Sequence, residues 1–381
     1  MTFDMRTSER SALKRCPQMW YWSIVEGLEP LRAANPLWFG QGVHVGLADW
    51  YQHGSKRGTH PAITFQKFVE GDRQMRIRPE YPEDQAEYVS AVELGVNMLE
   101  EYVKDYGKDD GWDVIATEMT FQIWFHYPGT RKKWFRYVGT WDGVYRDRST
   151  GEIWLMEHKT AAAIDTSHLP LDDQAGSYQA IANRILRKRG ILKPGERIAG
   201  IMYNFLRKQM KDTRPQDPRT GLYCNKPVKE HFVEAINAER MKMPNKKGGS
   251  WLGPELTGKE KLEDLELIAR KMDIQVYGAP SARQPASYRH REPVYRSKDE
   301  ELAILQRIRN EAIYIEGYRT GNPMYPLLKT PSQFGALACS HCKFFRMCQL
   351  HEQGDMESVA DFKETLYNIR DPYADHEIKA A

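Results

Sequence analysis

The chain has 381 residues, enough to bury one large core or two modest ones, and its 28% of charged residues and abundant Trp and Tyr are the composition of a soluble globular protein. No stretch approaches the roughly 18 apolar residues of a membrane span, and an N-terminus containing Asp4, Arg6, Glu9 and Arg10 lacks the apolar centre of a signal peptide, so a cytoplasmic protein is expected. A formal charge of +3 is too small to imply nucleic-acid binding by itself, and any such surface must come from local clustering.

Ser8–Leu28 places Leu13, Trp20, Ile24 and Leu28 at helical spacing behind a cap in Thr7 or Ser8, which predicts a helix that carries Cys16 into the fold. Leu37–Tyr51 repeats the period and includes Gly40-x-x-x-His44; a lone histidine on a helix is ordinarily a packed or exposed residue. Glu83–Tyr106 is predicted as a long amphipathic helix, with Tyr88, Val92, Val96, Leu99 and Val103 in one packing stripe. Asp113–Phe125 alternates as a strand. Glu118 on it could neighbour a metal site but reads first as a satisfied surface glutamate.

Lys133–Tyr145 and Gly151–Thr160 are β-rich, and the Asp147-Arg148-Ser149-Thr150-Gly151 stretch between them has turn composition, so a hairpin is predicted. Asp142 lies near the end of the first strand. Glu157 and Lys159, two apart on the second, share a face, and the hairpin brings Asp142 beside them. Converging carboxylates repel, and a divalent cation held by oxygen ligands is the usual relief. A lysine beside that cation can orient a water or stabilise charge developing on a phosphate. On their own, the three residues also make an ordinary cross-strand salt bridge.

Leu171–Lys188 has helical period, and Gln174 and Tyr178, four apart, share one face. Arg197–Leu206 gives another strand, and strand, hairpin, helix, strand is an α/β order consistent with a mixed central sheet flanked by helices. Leu186–Arg219 holds ten Lys/Arg against three acids. It reads as a solvated face or, through Arg187, Lys188, Arg207, Lys208 and Lys211, as a phosphate-binding surface.

From Arg207 to about Pro285 the core pattern is suspended: Arg214–Thr220 is rich in Pro, Asp and Arg, Lys226–Met243 and Glu260–Asp273 are predicted helices, and Pro244–Ser250 is a Lys/Gly loop. Tyr288–Arg296 resembles a returning strand, Lys298–Tyr318 a helix, and the linker Asn322–Ser332 leads to Cys339-x-x-Cys342-x5-Cys348; the tail from Glu357 is unremarkable. Five cysteines in a cytosolic chain argue for metal or free thiols rather than disulfides, and soft sulfur suits zinc or an iron–sulfur cluster. From the residues alone zinc is favoured, with His341 or His351 as fourth ligand. Cys224, alone in a polar loop, reads as an ordinary thiol. No Gly-x4-Gly-Lys-Ser/Thr occurs, so no ATP-driven motor is expected.

Gly40-x-x-x-His44, Asp142, Glu157-x-Lys159 and Gln174-x-x-x-Tyr178 fall in order and on suitable elements, with one cysteine near the N-terminus and three near the C-terminus. This pattern resembles the PD-(D/E)xK nuclease superfamily in its RecB-type branch, over nearly the whole chain and most weakly in the insertion. It is similar to AddB-like nucleases and CRISPR-associated four-cysteine exonucleases, and most similar to phage-encoded exonucleases related to them. The resemblance implies an α/β, restriction-endonuclease-like core, a central mixed sheet flanked by helices, with a helical insertion. It further implies a metal-dependent DNA exonuclease favouring single-stranded ends, in phage-type recombination, repair or processing.

In that picture His44, Asp142, Glu157 and the His158 carbonyl hold Mg²⁺ or Mn²⁺. Lys159 positions the attacking water, and Gln174 and Tyr178 hold the scissile phosphate or Lys159. Cys16, Cys339, Cys342 and Cys348 carry a [4Fe-4S] cluster in place of zinc. The expected layout is one nuclease domain over residues 3–352, with an insertion over 207–285, cluster-binding segments 8–28 and 337–350, and a tail over 353–381. DNA is the expected partner, with room for a helicase or a recombinase/annealing protein. A DNA-binding module with a dead site and a zinc-bearing structural protein are the rival readings.

Overall fold

The longest alternating apolar runs of the chain become its sheet, and the periodic runs on either side of them become the layers that cover it. The computed structural model describes residues 2–31, 35–77, 81–242, 256–333 and 338–374, so the Pro244–Ser250 loop expected above lies outside the described residues. In chain order the elements are β1 (Phe3–Met5), α1 (Thr7–Arg15), α2 (Pro17–Trp20), β2 (Leu28–Pro30), α3 (Asn35–Trp50), α4 (Pro61–Gly71), α5 (Arg73–Arg76), α6 (Pro82–Tyr106), β3 (Trp112–His126), β4 (Lys133–Asp147) and β5 (Ile153–Ala161). There follow α7 (Asp173–Lys188), β6 (Gly200–Arg207), α8 (Lys229–Lys242), α9 (Leu262–Lys271), β7 (Arg289–Val294), α10 (Lys298–Arg319), α11 (Phe345–Glu352), α12 (Met356–Leu366) and β8 (Tyr367–Ile369). They form two units, Met1–Gln209 with Tyr288–Ala381, and Met210–Ser287.

The first unit is built on a mixed six-stranded sheet. β3 runs antiparallel along one edge of β4. The other edge of β4 is shared: β1 pairs parallel with Phe135–Tyr137, and β5 pairs antiparallel with Gly143–Arg146. β6 lies parallel to β5, and β7 antiparallel to β6. Side chains alternate across β5 as the pleat requires. Ile153 and Leu155 join the core beneath α7 and α10, while Trp154 and Met156 join the core beneath α3, α4 and α6. Glu157 and Lys159 therefore belong to the α7 face, and the His158 ring to the α3 face.

Helix starts follow local chemistry. The Asp172 side chain caps α7 by accepting from the backbone N–H groups of Gln174 and Ala175. Ser297 and Glu300 form a capping box at α10. Arg10 on α1, fully buried, donates to Tyr137 at 3.3 Å and Asp173 at 3.1 Å, and also to Ser177 and Glu311. One guanidinium thus ties α1, β4, α7 and α10 together, and its burial is tolerable because its donors are matched by acceptors.

Ser8–Leu28 is not one helix. α1 ends at Arg15, Cys16 is extended at φ −166°, ψ 118°, and α2 starts at Pro17, passing into a π-helical turn over Tyr21–Val25. Proline disfavours helical geometry in the residue before it and is well suited to the first helical position. The segment expected to be a plain tail also folds: β8 pairs antiparallel with β2, and the Tyr373 hydroxyl donates to the buried Glu9 carboxylate and lies 2.9 Å from the Asp4 carbonyl. β1, β2 and α4 were not anticipated, because the strands are three residues long and α4 carries no strong cap signal beyond Pro61. The second unit has its own small core of Phe232, Ile236, Leu265 and Ala269 between α8 and α9.

α6 and α4 meet at Gly95, where an added Cβ would stand 2.2 Å from the ring of Phe65, itself fully buried. Gly95→Ala, which in an exposed helix would stabilise by about 1 kcal/mol, should here destabilise by about 1–3 kcal/mol through overpacking. A lowered urea midpoint with unchanged slope is the expected result; a raised midpoint would show that the helices can part at no cost.

Candidate active site and cysteine pocket

β4 and β5 pair through Gly143↔Met156 and then part, leaving Asp142 and Glu157 as the first residues outside the ladder. The next amide is not lost: the His158 N–H donates to Asp142 Oδ2 at 2.7 Å. Trp141 and Val144, three apart, both enter the α7-side core, so the alternation of β4 slips across Asp142-Gly143. Gly143 is required there, since a Cβ would meet the Tyr145 ring at 2.4 Å. Asp142 Oδ1 faces His44 Nδ1 of α3 at 3.4 Å.

On the other side of β4, β3 pairs Thr117↔Gly143 and Met119↔Trp141, which sets Glu118 opposite Asp142. Glu118 has φ +45°, a left-handed conformation costing about 1–3 kcal/mol for a non-glycine residue. One ligand atom each of His44, Glu118 and Asp142 lies within 4.8 Å of the others, the group of this kind found among the described residues. Glu118 is thus the site carboxylate that residue reasoning set aside as a surface group. An unbroken ladder from the Tyr127–Lys132 turn would set Glu118 opposite Trp141; the register shift between Phe125 and His126 moves it to Asp142, and no residue pattern marks that shift.

Glu157, 3% exposed, stands beside this group and accepts from Lys159 Nζ at 2.6 Å. Lys159 also donates to Gln174 Oε1 at 3.2 Å, and Gln174 hydrogen-bonds Tyr178, a phenol buried edge-on against Phe121. Glu157, Lys159, Gln174 and Tyr178 therefore form one chain on the α7 face. The His158 ring turns to the opposite face, between His44 at 5.9 Å and Tyr51 at 6.3 Å, so any ligation by His158 would fall to its backbone.

The electrostatics follow from burying several like charges together. Burial alone would lower His44, but Asp142, Glu157 and Glu118 outweigh it and hold the imidazolium up to about 9. Burial would raise Asp142, yet His44 and the His158 N–H keep it down at about 2. Burial raises Glu157 to about 7, with Lys159 opposing and Asp142 reinforcing. Glu118, exposed but set in the cleft wall, is likewise pushed to about 7, chiefly by desolvation and then by Asp142. Burial pushes His158 down to about 3, so its ring is neutral.

Within the first unit the basic stretch is divided between two places. Arg207, the last residue of β6, pairs with Ala161 at the site end of the sheet, and Lys208 follows it with Nζ over the Phe39 ring at 5.1 Å. Arg187 and Lys188 end α7, whose first turn carries Gln174, and are thus about 20 Å away along the helix axis. Arg187 donates to the Glu196 carbonyl at 2.8 Å. Lys211 belongs to the second unit.

Cys16, Cys339, Cys342 and Cys348 line one pocket of about 330 Å³, walled by Met19, Trp22 and Phe344. The extended conformation imposed by Pro17 is what presents Cys16 here. The Ser332 N–H donates to Cys339 Sγ at 3.3 Å, and burial and the neighbouring sulfurs push the Cys342 and Cys348 thiols up. Neither His341 nor His351 lines the pocket; His351 Nδ1 is engaged by Lys329 Nζ at 2.9 Å. Cys224 is buried in the second unit, its thiol against the Leu222 carbonyl at 3.5 Å.

No curated protein matches the chain at a significant level. A sequence profile of the PD-(D/E)XK nuclease superfamily matches residues 7–349, from the first turn of α1 to the helix of Cys348. With a mixed sheet flanked by helices beneath an Asp142, Glu157-x-Lys159 cleft, a match of that extent makes the chain a member of the PD-(D/E)XK nuclease superfamily.

Proposed function

We propose that the chain is a divalent-metal-dependent deoxyribonuclease of the RecB-type branch, an exonuclease acting on single-stranded ends. The observation that carries the reading is the convergence of His44, Glu118 and Asp142 within 4.8 Å beside the Glu157–Lys159 pair. One imidazole and hard carboxylate oxygens are the donor set of Mg²⁺ or Mn²⁺. Asp142, His44, Glu118 and Glu157 would hold the cation, with the His158 carbonyl as a further oxygen. When bound, a cation there lowers the pKa of a bound water and screens the phosphate. Lys159, kept charged by Glu157 and Asp142 against its burial, is a donor aimed by Gln174 at the place where phosphate charge grows. Tyr178 braces Gln174. Arg207 and Lys208, at the site end of the sheet, supply phosphate contacts.

For the four cysteines the reading is a [4Fe-4S] cluster. All four line one pocket whose lining includes no histidine, and four cysteine thiolates are the ligand set of such a cluster. A cluster held there would tie the N-terminal helices to α11. A role in phage-type DNA recombination, repair or processing, with single strands supplied by a helicase or a recombinase, completes the proposal.

Three measurements test it. DNA cleavage should require Mg²⁺ or Mn²⁺, stop in EDTA and disappear in Asp142→Ala and Glu157→Ala; Lys159→Ala should keep the fold while losing about a hundredfold or more in rate. Undiminished cleavage by either carboxylate variant would sink the assignment, and end-labelled against circular substrates separate exo- from endonucleolytic action. Because His44 is protonated below about pH 9 and the raised glutamates below about pH 7, a cation must displace protons. Mn²⁺ affinity should therefore rise with pH, by about tenfold per unit for each proton expelled, and level off above about pH 9. Calorimetry in buffers of different ionisation enthalpy reads those protons directly; affinity flat from about pH 6 to 9 would remove His44 from the ligand set. Finally, anaerobically purified protein should be brown and Cys16→Ala should lose the colour and melt lower, whereas a colourless protein containing zinc would restore the zinc reading.

A further inference from the structure

Behind the site, on the α3 face of the sheet, lies a buried polar chain that the proposed reaction does not use. It starts at Arg291 of β7, whose Nη1 donates to Asp109 Oδ1 at 3.0 Å and whose Nη2 reaches Asp109 Oδ2 and the Tyr102 hydroxyl at 3.1 Å. Arg291 Nε donates to Asn204 Oδ1 at 3.3 Å. Asn204, fully buried on β6, has its Nδ2 at 3.0 Å from the Tyr102 hydroxyl and 2.9 Å from His158 Nδ1. Tyr51 donates to Asp109 Oδ2 at 2.7 Å and stands 2.6 Å from the Tyr102 hydroxyl.

The direction of the bond to His158 follows from the guanidinium at the other end of this chain. A guanidinium can only donate, so Asn204 must present its oxygen to Arg291 and its NH₂ to His158. The His158 Nδ1 must then accept, and the ring proton resides on Nε2. With its ring anchored below the sheet, the same residue aims its backbone N–H at Asp142 Oδ2, leaving Oδ1 turned toward His44.

We propose that Arg291, acting through Asn204, is a positioning residue of the metal site: it fixes the orientation and tautomer of His158, and so the peptide that dedicates one oxygen of Asp142 to the protein and the other to the cation. The inference rests on the metal-dependent reading above. It gives β7 a part in the site although no residue of that strand touches it. Partners behind the ligands commonly govern metal affinity by ten- to a hundredfold, about the range expected here.

The test uses the full chain with ¹⁵N-labelled histidine. In the wild-type protein, His158 should show an unprotonated Nδ1 and a protonated Nε2; the opposite tautomer overturns the proposal without any variant. Asn204→Asp is isosteric and puts an acceptor where the donor stood. His158 should switch to the Nδ1–H form, and Mn²⁺ affinity, followed by the resonance of the free ion, should fall about tenfold or more, with the thermal midpoint within a few degrees of wild type. A switched tautomer with unchanged Mn²⁺ affinity would overturn the inference, as would a variant that only melts lower. If the wild-type protein itself fails to bind Mn²⁺, the metal-dependent reading falls with it, a result distinct from wild-type binding with an indifferent variant.

Discussion

The site depends on one exchanged hydrogen bond. Where β4 and β5 part after Gly143↔Met156, the amide of His158 would be left without its ladder partner, and a buried N–H without an acceptor costs about 1–3 kcal/mol. A carboxylate oxygen of Asp142 takes that place. The substitution keeps the sheet satisfied while its two central strands diverge, and the divergence is the cleft. A longer ladder would have closed it, and a gap without Asp142 would have left the amide unpaired. Most of what surrounds the cleft, including the Gly143 close approach and the fixed His158 ring, serves to hold that one geometry.

The cleft is also a place where charge is concentrated without being balanced. Asp142 finds His44 and an amide, and Glu157 finds Lys159, but Glu118 has been bent into the group with a positive φ and adds a third carboxylate. Burial, reinforced by Asp142, raises the two glutamates, and the carboxylates around it raise His44, so all three hold their protons more firmly than usual. Strain and repulsion are thus stored at a single point of an otherwise well-satisfied core, the pattern expected of a site built to receive something positive. Lys159 shares the cleft with these acids yet is restrained by Glu157 and Gln174, so that its charge is directed.

How far the residues foretold this can be judged element by element. The hairpin, the α7 period and the Glu-x-Lys spacing are local properties, and local properties are what alternation and helical spacing record. Gln174 beside Lys159 followed from a helix placed after a strand. Glu118 did not, because its place depends on where the β3–β4 turn falls and on a backbone conformation that no side-chain pattern betrays. Arg291, Asn204 and Asp109 were invisible for a different reason: they lie far apart in sequence and acquire meaning only when β6, β7 and the end of α6 meet. The break at Cys16 was legible in Pro17 and was overridden by an apolar period that runs straight through it. The closing of the C-terminal segment on β2 rests on three-residue strands, too short to leave a period at all.

The junction between β6 and β7 has a consequence of another kind. These are adjacent antiparallel strands, with Leu206 across from Arg289 and the Arg207 N–H donating to the Tyr288 carbonyl at 2.7 Å, yet the whole second unit is threaded between them. In topology it is a hairpin whose turn has been enlarged into a body with a core of its own. Closing a loop costs free energy only as the logarithm of its length, so the sheet is nearly indifferent to how much chain is hung there. Such a neck behaves as a socket for interchangeable cassettes: the chain between Lys208 and Ser287 can be shortened, exchanged or replaced in evolution or in the laboratory, while the strand that returns from it still has to bring Arg291 back to the same address.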